Sequence, residues 1–117
     1  MALGVGMGAF GAHALKGRLD AYSMEVYEKA VFYHFLHGLG ILLVALLART
    51  NAITAAGQGR VAGLLLIGIV LFSGSLYALA LTGVRVLGAI TPLGGIAFIA
   101  GWILLAWEVF ARAGASN

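Results

Sequence analysis

Four apolar runs divide this chain, with a polar stretch between each and the next. The runs are Met1–Leu15, Ala30–Ala48, Val61–Leu81 and Pro92–Ala111; the stretches between them are Lys16–Lys29, Arg49–Arg60 and Thr82–Thr91. The later three runs are 19 to 21 residues long and almost free of charge. Continuous apolarity of that length predicts membrane-spanning helices, since about 20 helical residues cross a hydrocarbon layer about 30 Å thick. The first run rises only about 22 Å as a helix, so it is expected to be a short or tilted span. Ala12-His13-Ala14 imitates a signal-peptide cleavage site, but no basic region precedes the apolar run, so a span is the better reading.

The polar stretches carry the helix signals. Asp20 is placed to cap a helix starting near Ala21, and Glu25 and Lys29 stand four apart in the order that favours a helical ion pair. Residues 20–29 therefore read as an interfacial helical segment that runs into the second span. Arg49–Arg60 contains Asn51, Thr54, Gly57, Gln58 and Gly59 and reads as a turn. Thr91 followed by Pro92 reads as a cap and first helical residue, with a helix from Val86 kinked at Pro92 as the alternative. The tail, Ala113–Asn117, is expected to fray.

Composition turns this pattern into a class. Hydrophobic residues make up 62% and charged residues 9% of the chain, against about 25% charged in soluble domains. One all-α membrane bundle of four helices is the expected fold, with three full spans and a short N-terminal one. The 18 glycines are interleaved with large apolar residues, which suits helices in close contact. Steps of four suggest packing stripes at Gly4/Gly8/Ala12, Gly59/Gly63, Gly74/Ala78 and Ala97/Gly101. With no cysteine, disulfides, thiolate metal sites and Cys nucleophiles are excluded. The seven basic residues are scattered, unlike a nucleic-acid surface, and mark span ends. With four spans, Arg49, Arg60 and Arg112 share one side and Lys16, Arg18, Lys29 and Arg85 the other, a balance that does not set the orientation.

The candidate chemistry centres on His13, Glu28, His34 and His37. His34 and His37 share a helix face, and a hairpin would bring His13 and Glu28 to the same level. Such a set could hold a metal or haem, yet its spacing matches neither H-E-x-x-H nor the Glu-x-x-His pattern of di-iron bundles. Interfacial residues that bond across helices are the expected role, with no cofactor. Ser73, Ser75 and Tyr77 place hydroxyls inside an apolar run, where backbone or neighbouring helices should satisfy them. Ser73 and Ser75 lack a nucleophile elbow and partners, and Gly94-Gly95 lacks the rest of a phosphate loop. No ionisable group sits at mid-membrane, which weighs against a proton-coupled transporter.

GAFGAHALK (Gly8–Lys16), YEKAVFYHFLHGLGILL (Tyr27–Leu43), LFSGSLYALALTG (Leu71–Gly83) and ITPLGGIAFIAGW (Ile90–Trp102) together resemble the family called domain of unknown function 423, small membrane proteins of the YgdD and YwdK type with a eukaryotic transmembrane branch. The resemblance covers nearly the whole chain. It implies a four-helix protein of the bacterial inner membrane and no assigned activity. It also implies a longer apolar stretch before Gly8 than the seven residues here, so the first span is expected to be truncated or unusually short. The expected function is that of a non-catalytic structural or accessory subunit or a small homo-oligomer, surrounded by lipid and without nucleic acid. A small channel or transporter and a His-based metal or haem protein are the alternatives.

Overall fold

Asp20 sets the start of the longest helix. In the computed structural model, which describes residues 1–115, its side chain accepts a 2.8 Å hydrogen bond from the Ser23 amide. The helix it caps, α2, runs from Ala21 to Arg49, and Glu25 and Lys29 form an exposed ion pair at 3.8 Å on its first turns. Before it lies α1, Ala2–Phe10, which continues as a π-helical turn, Gly11–Leu15. After it, Asn51 takes a left-handed conformation and Thr54 caps α3, Ala55–Gly68, by accepting from the Gly57 amide at 2.8 Å. A second π-helical turn, Ile69–Ser73, leads into α4, Gly74–Thr82. Gly83 ends α4 in the left-handed region at φ 70°, its amide bonded to the Leu79 carbonyl. A 3₁₀ turn, Arg85–Ala89, precedes α5, Thr91–Ala115.

Three continuous helical stretches, Ala21–Arg49, Ala55–Thr82 and Arg85–Gly114, are long and apolar enough to cross a membrane; Ala2–Leu15 is shorter. The fold is an all-helical membrane bundle. The α3–α4 rod sits in the middle, with α2 and α5 packed on it, while α1 leans on α2. Within lipid the apolar effect drives little of this; close packing and cross-helix hydrogen bonds hold the rods together. Gly94 illustrates the packing: a Cβ there would collide with the backbone of Phe72. On α3 the buried face is Gly57, Val61, Leu65 and Gly68, and on α5 it includes Ala97, Phe98, Gly101, Leu105 and Glu108.

Several sequence expectations need correction. Gly4 and Gly8 do face α2, near Phe35 and Val31, but Ala12 is exposed and Gly11 makes the tight contact, on the ring of Tyr27. The reason is periodicity: each step of four overshoots a turn by about 40°, so a third contact needs a step of three. Gly59 and Gly63 meet nothing within 4 Å, because α3 turns Gly57 and Val61 inward instead. The Gly74/Ala78 stripe is not a packing face either. Gly74 is exposed and Ala78 only half-buried, because α4 turns Ser75, Leu76, Leu79 and Ala80 inward and leaves those two positions at its edge. Ala97 is buried, and Gly101 lies under Leu65. Thr91 is already helical, and its hydroxyl pairs with Ser75 across the bundle at 2.8 Å. Pro92 thus falls in the first turn of α5, where its missing amide costs nothing. The tail is helical to Ala115, and Ser116 and Asn117 lie outside the described residues.

Candidate functional site

Polar side chains inside a membrane bundle need partners, and their partners define its sites. At one end is Glu108 of α5, only 8% exposed. Its carboxylate receives Arg60 Nη2 at 2.6 Å and Thr54 Oγ1 at 3.1 Å, and it lies directly on Gly57. A Cβ at position 57 would collide with the Glu108 carboxylate, which would have to shift to admit it. Buried Ile53 closes the same end. Thr54 both caps α3 and donates to Glu108, so the helix start and the ion pair are one device.

The centre of the bundle is aromatic. His37 is 3% exposed, and its Nδ1 lies 2.8 Å from the Tyr33 carbonyl, four residues back. A carbonyl only accepts, so Nδ1 carries the proton and, in the neutral ring, Nε2 carries the lone pair. The imidazole stacks on Phe98, with centroids 3.4 Å apart, and Trp102 tilts against it at 6.1 Å. Tyr33 stacks beside it and touches Phe72. Trp102 reaches α2 because Gly40 leaves room for its ring.

Toward the other end, His34 Nδ1 meets the Tyr77 hydroxyl at 3.2 Å, and Tyr77 packs on Tyr27 with ring centroids 5.2 Å apart. Tyr27 is fully buried and donates its hydroxyl to the Met7 carbonyl at 2.6 Å, which ties α1 to α2. Ser75 also donates to the Phe72 carbonyl at 3.0 Å. Among the described residues the Ser73 hydroxyl is buried without a hydrogen-bond partner, contrary to the expectation for it.

The gathering expected of His13, Glu28, His34 and His37 does not form. His37 faces the aromatic centre, His34 turns to Tyr77, and His13 and Glu28 are exposed. Among the described residues no three His, Asp or Glu side chains come together as a metal-holding group. The two imidazoles three apart on α2 diverge because different neighbouring helices claim each one. The pairing of Glu108 with Arg60 is not among the contacts expected from the sequence. The available signal was a lone carboxylate among apolar residues on the last span, since such a group must find a partner.

Residues 7–95 match the family described as "Protein of unknown function (DUF423)". A UPF0382 membrane protein of Staphylococcus haemolyticus is 51% identical over 108 residues, covering 92% of this chain and 86% of the relative. The UPF0382 membrane protein YwdK of Bacillus subtilis is 50% identical over 104 residues, covering 88% and 83%. No solved structure matches. With the family model matching residues 7–95 and relatives about half identical over most of the chain, this multi-pass membrane protein belongs to the DUF423 family.

Proposed function

We propose that the protein is a non-catalytic component of the membrane, a structural or accessory subunit that assembles with copies of itself or within a larger membrane complex. The observation that carries this reading is the outer face of α3. Gly59 and Gly63, one small-residue step apart, have nothing within 4 Å of a Cβ at either position. Such a stripe lets another helix approach closely, and in lipid close approach is what drives helix association. The inner polar groups point the same way: Glu108, His34 and Ser75 each bond to another part of the bundle.

The test is purification in mild detergent from the native membrane, with mass spectrometry of the intact assembly and metal analysis of the same sample. A discrete oligomer or stoichiometric complex is expected. Gly63→Leu should dissociate it while leaving the fold intact, since the site is open within the chain. A monodisperse monomer without a partner, or a metal or haem near one per chain, would overturn the reading.

A further inference from the structure

Between α2 and α5, beside the aromatic centre, lies a cleft made of two adjoining hollows that share Phe72. One, of about 440 Å³, lies at His37 and Trp102; the other, of about 430 Å³, runs toward Glu25 and Lys29. Each falls within the range of about 300–1,000 Å³ typical of small-molecule sites. The hollow at His37 opens sideways past Leu36, Ile99 and Ile103, all exposed where the bundle faces hydrocarbon. Whatever enters it comes from the lipid phase.

Its walls specify more than apolarity. Tyr33, Phe72, Phe98 and Trp102 offer ring faces and edges, which favour a flat aromatic guest. His37, almost wholly buried, lines the same hollow. Its Nδ1 proton is held by the Tyr33 carbonyl, and Nε2 has no hydrogen-bond partner among the described residues. In hydrocarbon no water satisfies that lone pair, so a guest that donates a hydrogen bond is favoured over one that does not. An acyl chain fills space but leaves Nε2 unpaired.

We propose that this cleft binds a membrane-dissolved aromatic ring bearing a hydroxyl, of the hydroquinone or phenol class, whose O–H donates to His37 Nε2 while the ring lies against Trp102 and Tyr33. An apolar tail on that ring follows the second hollow past Phe72, over Val26, Leu76 and Leu79, toward the Glu25–Lys29 pair at the membrane surface. Helix α2 carries both ends of the track, and residues 25 to 37 span about 18 Å along its axis.

The test uses full-length protein in nanodiscs with Trp107→Phe, so that Trp102 is the sole tryptophan reporter. The probes are a naphthohydroquinone with a short isoprenyl tail, kept reduced, its dimethyl ether, and the oxidised quinone. Saturable binding of the hydroquinone near one per chain is expected. The ether and the quinone, which lack the donor, should bind about tenfold more weakly or worse. His37→Phe should abolish the difference between the hydroquinone and its ether, and His37→Gln, which restores an acceptor, should recover part of it. Equal affinity for hydroquinone and ether in the unsubstituted protein would overturn the proposal, whether or not the His37 variants fold. Chain-brominated phospholipid that quenches Trp102 equally with and without saturating hydroquinone would also overturn it, by showing that acyl chains hold the cleft.

Discussion

At Gly94 an added methyl group would meet the backbone nitrogen and Cα of Phe72, atoms that cannot rotate away; at Gly59 it would meet nothing within 4 Å. Gly94→Ala should therefore destabilise the bundle by about 2–3 kcal/mol, at the upper end of overpacking costs. Gly59→Ala should be neutral or stabilising by about 0.5–1 kcal/mol, since alanine loses less backbone freedom in a helix. Thermal melting in one detergent checks both, and equal effects would refute the contrast. The Arg60–Glu108 pair is just as asymmetric. Arg60 is 61% exposed at its side chain and Glu108 only 9%. Removing the glutamate charge leaves a guanidinium free to rehydrate, whereas removing the arginine strands a buried carboxylate. Glu108→Gln should cost about 1 kcal/mol, as a hydrogen bond weakened rather than lost. Arg60→Met should cost about 2–3 kcal/mol, below the full penalty of a wholly buried pair because Thr54 still donates. The reverse order in denaturation midpoints would show that the carboxylate is not held as described.

Helix α1 shows what one hydrogen bond does for an element. It leans on α2 through Gly4, Gly8 and Gly11, and Tyr27 fastens it by donating to the Met7 carbonyl. Tyr27→Phe keeps the ring under Gly11 and removes only that bond, a loss of about 1 kcal/mol. Amide exchange should quicken in α1 and its π turn and stay unchanged in α5; uniform quickening would mean that Tyr27 supports the whole bundle. The start of α2 was legible because Asp20 and Ser23 are three residues apart and capping is local. The long apolar runs were legible for the same reason. The packing stripes were read less well. Counting by fours selected Ala12, Gly63, Gly74 and Ala78, but a helix of 3.6 residues per turn returns to its contact by mixed steps of three and four. The π turns at Gly11–Leu15 and Ile69–Ser73 alter the register again. Glu108 with Arg60, and His34 with Tyr77, join residues 48 and 43 apart, and which rotation of two helices brings them together is not written in either segment alone.

The bundle is 57 Å long, far more than the hydrocarbon layer, so both ends stand in the interfacial zones. One end carries the loop after α1 with Lys16 and Arg18, together with the 3₁₀ turn that begins at Arg85; Tyr22 and Gly88 line a common hollow there. The other carries Arg49, Arg60 and Arg112, beside the Glu108 pair that joins α3 to α5. Along the outer side of α2, Leu39, Leu42, Leu43 and Leu46 are exposed. The basic residues are too evenly divided for charge to choose which end faces the cytoplasm, but the helices tie each end into one compartment whatever the choice. The chain has no cysteine, so single cysteines report cleanly. With Arg18→Cys, Arg85→Cys, Thr50→Cys and Arg112→Cys, an impermeant maleimide added to intact cells should label the first two alike and the last two alike, with opposite results for the two pairs. The substitutions sit in exposed positions, so they leave the packing untouched. Discordant labelling of Arg18→Cys and Arg85→Cys would mean that the chain does not cross the membrane in three full passes between Arg18 and Arg112, and the arrangement of α2, the α3–α4 rod and α5 would have to be redrawn.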